Sequence, residues 1–140
     1  MSTVLWANYL KEGRVKSDES DKYALYKHSR KLDRLTQQLG VTSFIVAQDT
    51  TDAKFNITDE ELPDGMESTD ELMARDGTWI EAETAITMLE ALVNEIQSKD
   101  IRFGLISNAQ KAVIAELEES LVFAKEAASH AAKFNFAVVM

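Results

Sequence analysis

Phe134-Asn135-Phe136-Ala137-Val138-Val139-Met140 places Phe134, Phe136 and Val138 on one face at a period of two, the pattern of a strand with one buried side. Such a strand must find partners for its backbone N–H and C=O groups. The opposite end of the chain offers one. Residues 3–10 are rich in β-branched and aromatic side chains, and Lys11-Glu12-Gly13 is a turn signal before Arg14-Val15-Lys16. This reads as a hairpin with a short second strand. The simplest pairing joins both termini in one small, mostly antiparallel sheet.

Three amphipathic helices are predicted between these strands. In the first, Ser20 or Asp18 caps a segment that places Leu25, Leu32, Leu35 and Leu39 on one face and stops at Gly40, the usual position for a left-handed cap. The second opens at Thr78 with Glu81 three residues on, a capping-box spacing. It carries Ala82, Ile86, Leu89, Val93 and Ile96 in a stripe that Ala85 and Leu92 widen. The third starts near Ser107 or Asn108 and stacks Val113, Leu117, Leu121, Ala124, Ala128 and Ala131, the alanines permitting close approach of a neighbour. Each helix has one apolar face, so three packed together on the sheet would bury them all.

Residues 41–77 carry weaker signals. Phe44-Ile45-Val46-Ala47 fits a strand or a turn of helix equally. Thr58 with Glu61, and Ser68 with Glu71, repeat the capping-box spacing and predict two short helices on either side of the turn Pro63-Asp64-Gly65. Phe55, Ile57, Leu62, Met66, Leu72 and Met73 are the apolar anchors available to them.

At 140 residues, with 45% apolar and 28% charged side chains, the sequence predicts one soluble globular domain, residues 1–140, burying roughly two thirds of its unfolded surface. The absence of cysteine excludes a disulfide framework, a thiolate metal site and a cysteine nucleophile. Met1-Ser2-Thr3-Val4-Leu5-Trp6-Ala7-Asn8 lacks the basic flank and apolar run of a secretory signal, and no stretch approaches the roughly 18 apolar residues of a membrane span. A cytoplasmic location is expected. Charge is distributed unevenly. Residues 49–76 hold ten carboxylates against Lys54 and Arg75 and carry −8 of the formal −9, whereas residues 1–48 come to +3 and residues 77–140 to −4.

This acidic connecting segment, 49–76, has three readings. It is a solvated surface whose carboxylates cap short helices, or a docking surface for a basic partner through Asp59, Glu60, Glu61, Asp64, Glu67, Asp70 and Glu71, or a divalent-cation site drawing on Asp49, Asp52, Asp59, Glu60, Glu61 and Asp64. The last lacks the alternating spacing, central glycine and terminal glutamate of an EF-hand loop. Lys27, Arg30, Lys31 and Arg34 form a basic stripe on the first helix, read as a solvated back paired in part with Asp33 or the acidic segment, or as an anion site. The net charge and the lack of a groove-reading motif or glycine-rich phosphate loop argue against nucleic acid.

His28 falls among the leucines of the first helix, as a packed or boundary residue, and His130 on the polar side of the third. Glu81 and Glu83 diverge by about 200° on a helix and cannot flank one substrate atom. No Gly-x-Ser-x-Gly elbow occurs. Tyr23, Tyr26 and Phe123 lie off the apolar stripes, either as binding aromatics or covered by residues 41–77.

Leu32-Asp33-Arg34-Leu35 running to Leu39-Gly40-Val41 with Phe44 shortly after, then Trp79 opening a helix with Leu89 and Leu92, then Phe134-Asn135-Phe136-Ala137-Val138, resembles a pattern in small uncharacterised bacterial proteins. The resemblance implies a bacterial cytoplasmic single-domain protein and carries no catalytic residue, substrate or cofactor with it. The acidic segment is not part of the pattern.

The sequence thus predicts an α+β fold with three main helices on a small sheet formed by the terminal strands. The first functional expectation is a non-catalytic binding protein engaging a basic partner through its acidic surface, an immunity-type inhibitor of a cationic toxin being one concrete form. Alternatives are a small enzyme or small-molecule-binding protein with a dispersed polar pocket near His28 and Tyr26, where the first helix would meet the acidic segment, or a self-associating structural or regulatory subunit. No catalytic residue, metal or cofactor is expected, nor a membrane or nucleic-acid partner.

Overall fold

The computed structural model describes residues 2–58 and 60–140. The chain runs β1 (Val4–Lys11), β2 (Arg14–Lys22), α1 (Tyr23–Lys27), α2 (Ser29–Leu39), a turn of 3-10 helix (Ile45–Ala47), β3 (Gln48–Asp49), α3 (Thr51–Ile57), α4 (Thr69–Asp76), β4 (Ile80–Glu81), α5 (Ala82–Ser98), α6 (Gln110–Ser129) and β5 (Lys133–Val139). The class is α+β with a mostly antiparallel five-stranded sheet.

The two ends pair as expected. β5 runs antiparallel to β1 from Val4 opposite Val139 to Leu10 opposite Lys133. The sheet is larger than the termini alone, because the other edge of β5 is shared by two internal strands of two residues each. β3 lies parallel to it at Gln48 opposite Phe136, and β4 antiparallel at Ile80 opposite Phe134. β5 is thus an inner strand, which is why it reads as an almost continuous apolar run.

Strand β2 is longer than its sequence suggested. Ser17-Asp18-Glu19-Ser20-Asp21 has the composition of a helix cap, yet the strand runs through it: Asp18 lies opposite Ala7 and Lys22 opposite Leu5, with Glu19, Ser20 and Asp21 in an irregularity between them. An edge strand with one hydrated side accommodates such residues. Asp18 and Ser20 therefore cap no helix: the Asp18 carboxylate accepts from the backbone N–H and hydroxyl of Ser20. Helix α1 starts at Tyr23, and its first N–H groups are met from another element, Ala24 and Leu25 donating to the Glu116 carboxylate of α6 at 3.3 and 3.0 Å. The predicted first helix is broken at His28 (φ −106, ψ 20), and α2 ends at Gly40 in the left-handed conformation predicted for it.

Helix α5 begins at Ala82, not Thr78, because Ile80 and Glu81 are committed to β4 and the Thr78 N–H donates to Asp49 instead. Helix α6 begins at Gln110, where Asn108 Oδ1 accepts from the Gln110 N–H. Between Val41 and Gly77 there are two short helices flanking Pro63-Asp64-Gly65, as expected, but Thr58 closes α3 and opens nothing. Phe44-Ile45-Val46-Ala47 becomes the 3-10 turn leading into β3.

Side-chain parity divides the sheet. Leu5 and Ala7 of β1 with Phe134, Phe136 and Val138 of β5 face one way, into a core with Leu25, Leu32, Phe44, Met88, Leu89, Leu92, Phe103 and Leu117. Most of the predicted stripe residues of α5 and α6 are in it, while Ala131 is exposed beyond the end of α6. The other face presents Trp6 and Asn8 from β1, opposite Ala137 and Asn135 of β5. This second face is covered by the acidic segment, whose Met73 on α4 is buried against both asparagines. Among the described residues no helix is long and apolar enough to cross a membrane.

Candidate partner-binding surface

The acidic segment is fastened to the sheet by polar contacts made from its own sequence. Asp49, buried at the start, accepts from the N–H of Thr51 at 2.9 Å and from the N–H of Thr78 at 2.7 Å, so one carboxylate joins the beginning of the segment to the residues just after it. It is a structural group, not one of the cation ligands considered above. Trp79 Nε1 donates to the Met73 carbonyl at 3.0 Å and holds the end of α4. At the other end of α4 the predicted cap forms: Ser68 Oγ accepts from the Glu71 N–H, and the Glu71 carboxylate reaches back to the N–H of Glu67. This places Asp70 and Glu71 in the first turn, where the helix dipole favours negative charge.

Of the seven predicted contact residues, Glu60, Glu61, Asp64, Glu67, Asp70 and Glu71 all lie on the exposed surface, and Asp59 lies outside the described residues. Among the described residues none of these six is in a salt bridge; the segment's own Arg75 is spent on neighbouring Asp76 at 2.7 Å. Glu60, Glu61 and Asp64 belong to the irregular stretch before α4, whereas Glu67 and Glu71 are joined by its cap and Asp70 sits in its first turn.

Beneath α4 the segment leaves a cleft of about 270 Å³ that sequence reasoning missed. Trp6, Asn8 and Ser17 line its sheet side, and Asp52, Thr69 and Asp70 its outer side. Asp52 accepts from the Thr69 hydroxyl at 2.9 Å and from the Asn56 amide at 3.1 Å, which ties α3 to α4. The Asp70 carboxyl is pushed above the usual range, first by burial and then by the charges of Asp52 and Glu19. Asn8 is 1% exposed, and its amide orientation is fixed by a relay: Asn135 Nδ2 donates to the Thr78 carbonyl at 2.9 Å, and Asn8 Nδ2 donates to Asn135 Oδ1 at 3.1 Å. Asn8 Oδ1, which does not take part in this relay, has no partner. A buried acceptor left unpaired costs about 1–3 kcal/mol. The readable signal for this face was parity, since Trp6, Asn8, Asn135 and Ala137 fall between the core residues of their strands.

The alternative site near His28 and Tyr26 has a different character. The groove there, about 610 Å³, is lined by Lys27, Arg30, Lys31 and Arg34 with Ile45 and Gln48, and receives no carboxylate from the acidic segment. Asp33 does not neutralise the stripe either, because it accepts from the Ser43 hydroxyl and the Ile45 N–H and so anchors the 3-10 turn. His28 is a boundary residue, edge-on to Phe103, and burial together with Lys27 and Lys31 lowers its pKa. Tyr23 and Tyr26 are exposed, and Phe123 is covered by Tyr9 of β1, ring centroids 5.1 Å apart, not by residues 41–77. His130 sits beyond α6 with Nδ1 3.4 Å from Lys11 Nζ. A larger hollow, about 690 Å³, lies between Leu39 and the outer side of α5, with Glu95 as its one ionisable lining group. Leu105 and Ile106 stand fully exposed on a loop braced by Arg102, whose guanidinium donates to the carbonyls of Gly104 and Leu105.

Among the described residues no three acidic or histidine side chains converge as a metal ion would need. No protein-family model matches this chain, and no curated protein and no solved structure is found similar to it.

Proposed function

We propose that this chain is a non-catalytic binding domain whose acidic segment engages a basic protein, with a cytoplasmic immunity-type inhibitor of a cationic toxin as one concrete form. The observation that carries the reading is the set of exposed, unbridged carboxylates from Glu60 to Glu71, presented beside a helix whose position is fixed to the sheet. A purely solubilising surface has no need of such fixation. A binding surface benefits from it, because side chains and backbone already ordered lose less entropy on association. Complementary charge mainly accelerates encounter and rejects wrong partners, and its effect is screened by salt.

The test is affinity capture from native cytosol at low and moderate salt, comparing the unaltered protein with a variant in which Glu60, Glu61, Asp64, Glu67 and Glu71 are changed to Gln or Asn. The expected result is a basic protein retained by the unaltered chain, more weakly as salt rises, and lost from the variant. Equal capture by both at every salt concentration would sink the proposal.

A further inference from the structure

We propose that the cleft beneath α4 is a receptor for a single ammonium or guanidinium group, with Asp70 and Asp52 as counter-ions, Asn8 Oδ1 as a buried acceptor and Trp6 as an aromatic wall. The proposal deepens the reading of a basic partner, one of whose lysine or arginine side chains would be a source of the group; a free alkylamine is the other source.

The chemistry of the lining selects a cationic donor. The cleft offers two carboxylates, an amide oxygen and the hydroxyls of Ser17 and Thr69, and among the described residues no lysine or arginine lines it. An anion would be repelled, and a neutral apolar group would leave Asn8 Oδ1 as it is, buried and unpaired. A group that donates N–H bonds and carries positive charge answers both features at once. The Asn135 to Thr78 bond fixes which end of the Asn8 amide remains unpaired, so the acceptor follows from the hydrogen-bond chain and not from an arbitrary amide orientation.

The electrostatics of the cleft point the same way. Asp70 on α4 faces Asp52 on α3 and Glu19 on β2, and both charges add to burial in raising its pKa. Asp21, also on β2, accepts from Trp6 Nε1 at 2.8 Å and holds the indole by one edge. A cation placed among these groups would relieve their mutual repulsion and stack against a ring already immobilised.

The experiment titrates the full chain with capped single amino acids, N-acetyl-lysine methylamide and N-acetyl-arginine methylamide, and with the uncharged citrulline analogue as control. NMR resolves the indole N–H of Trp6 from that of Trp79 and follows the Asn8 side-chain amide. Saturable shifts at Trp6 and Asn8 are expected with one or both charged probes and not with citrulline. Asp70→Asn should weaken binding by about tenfold, worth about one step of 1.4 kcal/mol, while raising the melting temperature of the free protein, an increase that a merely structural Asp70 would not give. Equal binding of citrulline, unchanged affinity in both Asp70→Asn and Asp52→Asn, or no saturation with any probe would overturn the proposal. A basic peptide binding at least about tenfold more tightly than the capped residues identifies a polypeptide side chain as the source, and equal affinity a free amine. Capture of a basic protein with silent cleft probes refutes the receptor and leaves the acidic surface standing, and the reverse result does the opposite.

Discussion

Lys22 supplies the sharpest test of what holds the hairpin to the helices. Its side chain is 0% exposed, and its ammonium donates to Asp18 Oδ2 at 3.1 Å, Ser20 Oγ at 2.6 Å and the Ser20 carbonyl at 3.2 Å. Glu119 of α6 lies 3.6 Å away. The two carboxylates are unequal to the lysine in one respect: their side chains are 27% and 56% exposed, so water can solvate them if the ammonium is removed. Lys22→Met keeps the buried methylene stem and deletes the buried charge, and should change stability by no more than about 1 kcal/mol. The Asp18→Ala, Glu119→Ala double variant leaves the ammonium buried with Ser20 and the more distant charge of Glu116 on α6. An uncompensated buried charge costs about 3–5 kcal/mol, and relaxation toward solvent at this edge of the sheet places the expectation at about 3.

At about 4 °C per kcal/mol for a chain of this size, the double variant should melt about 12 °C lower and Lys22→Met within about 4 °C of the original. Thermal and urea unfolding at pH 7 measure both. Adding Lys22→Met to the double variant should restore most of the loss, because the groups act as one network. Acid titration checks the same cluster. Burial alone would raise the Asp18 carboxyl, but the bonds from Lys22 and Ser20 outweigh it and leave its pKa below the ordinary 3.8. The folded value is the depressed one, so this stability is present above pH 3.8 and is lost as pH falls through the folded value. Lys22→Met should flatten that acid limb. If Lys22→Met costs as much as the double variant, the account of a buried charge supported by hydrated partners is wrong.

The inner position of β5 makes Phe136→Ala severe: the ring is fully buried between Phe134 and Phe44, with centroids at 5.1 and 5.4 Å, and its loss should cost about 3–5 kcal/mol in urea unfolding. Deleting residues 134–140 should abolish the cooperative transition altogether. Gly77→Ala should cost about 1–3 kcal/mol even though its backbone (φ −77) suits any residue, because the new Cβ would meet the Met73 carbonyl oxygen and lie 2.8 Å from Asp49 Oδ2. Faster hydrogen exchange at the Thr78 N–H would report the damage; an unperturbed melting temperature would refute it.

Elements with a strong period were legible in the sequence. The terminal strands, the apolar stripes of α5 and α6 and the stop at Gly40 depend on side chains close in sequence, and each formed much as its pattern implied. Errors gathered where a distant partner overrides local chemistry. Thr78 and Glu81 have a capping-box spacing, yet Asp49 takes the N–H of Thr78, and β5 recruits Ile80 and Glu81 as a strand. Asp18 and Ser20 look like caps until β1 pairs with Asp18 and Lys22 and carries the strand through both. Nothing local to Lys22 signals its burial, because one of its charge partners, Glu119, lies 97 positions later in the chain. The acidic surface was legible from composition alone, but the cleft was not, since it needs β1, β2, α3 and α4 together.

The two faces of the sheet are built on different principles. Toward α5 and α6 the strands present leucine, phenylalanine and valine, which stabilise by burial alone. Toward α4 the strands place Asn8 opposite Asn135, under a methionine. A pair of aliphatic residues there would remove the unpaired Asn8 oxygen and pack as well. It would also remove the Asn135 bond to the Thr78 carbonyl, one of the directional contacts that set the acidic segment in a single position. Met73, like any methionine, adapts to many packings and specifies none by itself. The buried amides therefore add to apolar packing a directional bond at Thr78, just past the short helix whose first turn carries Asp70 and Glu71. The unpaired oxygen of Asn8 is the cost of a polar pair whose other member, Asn135, makes that directional bond.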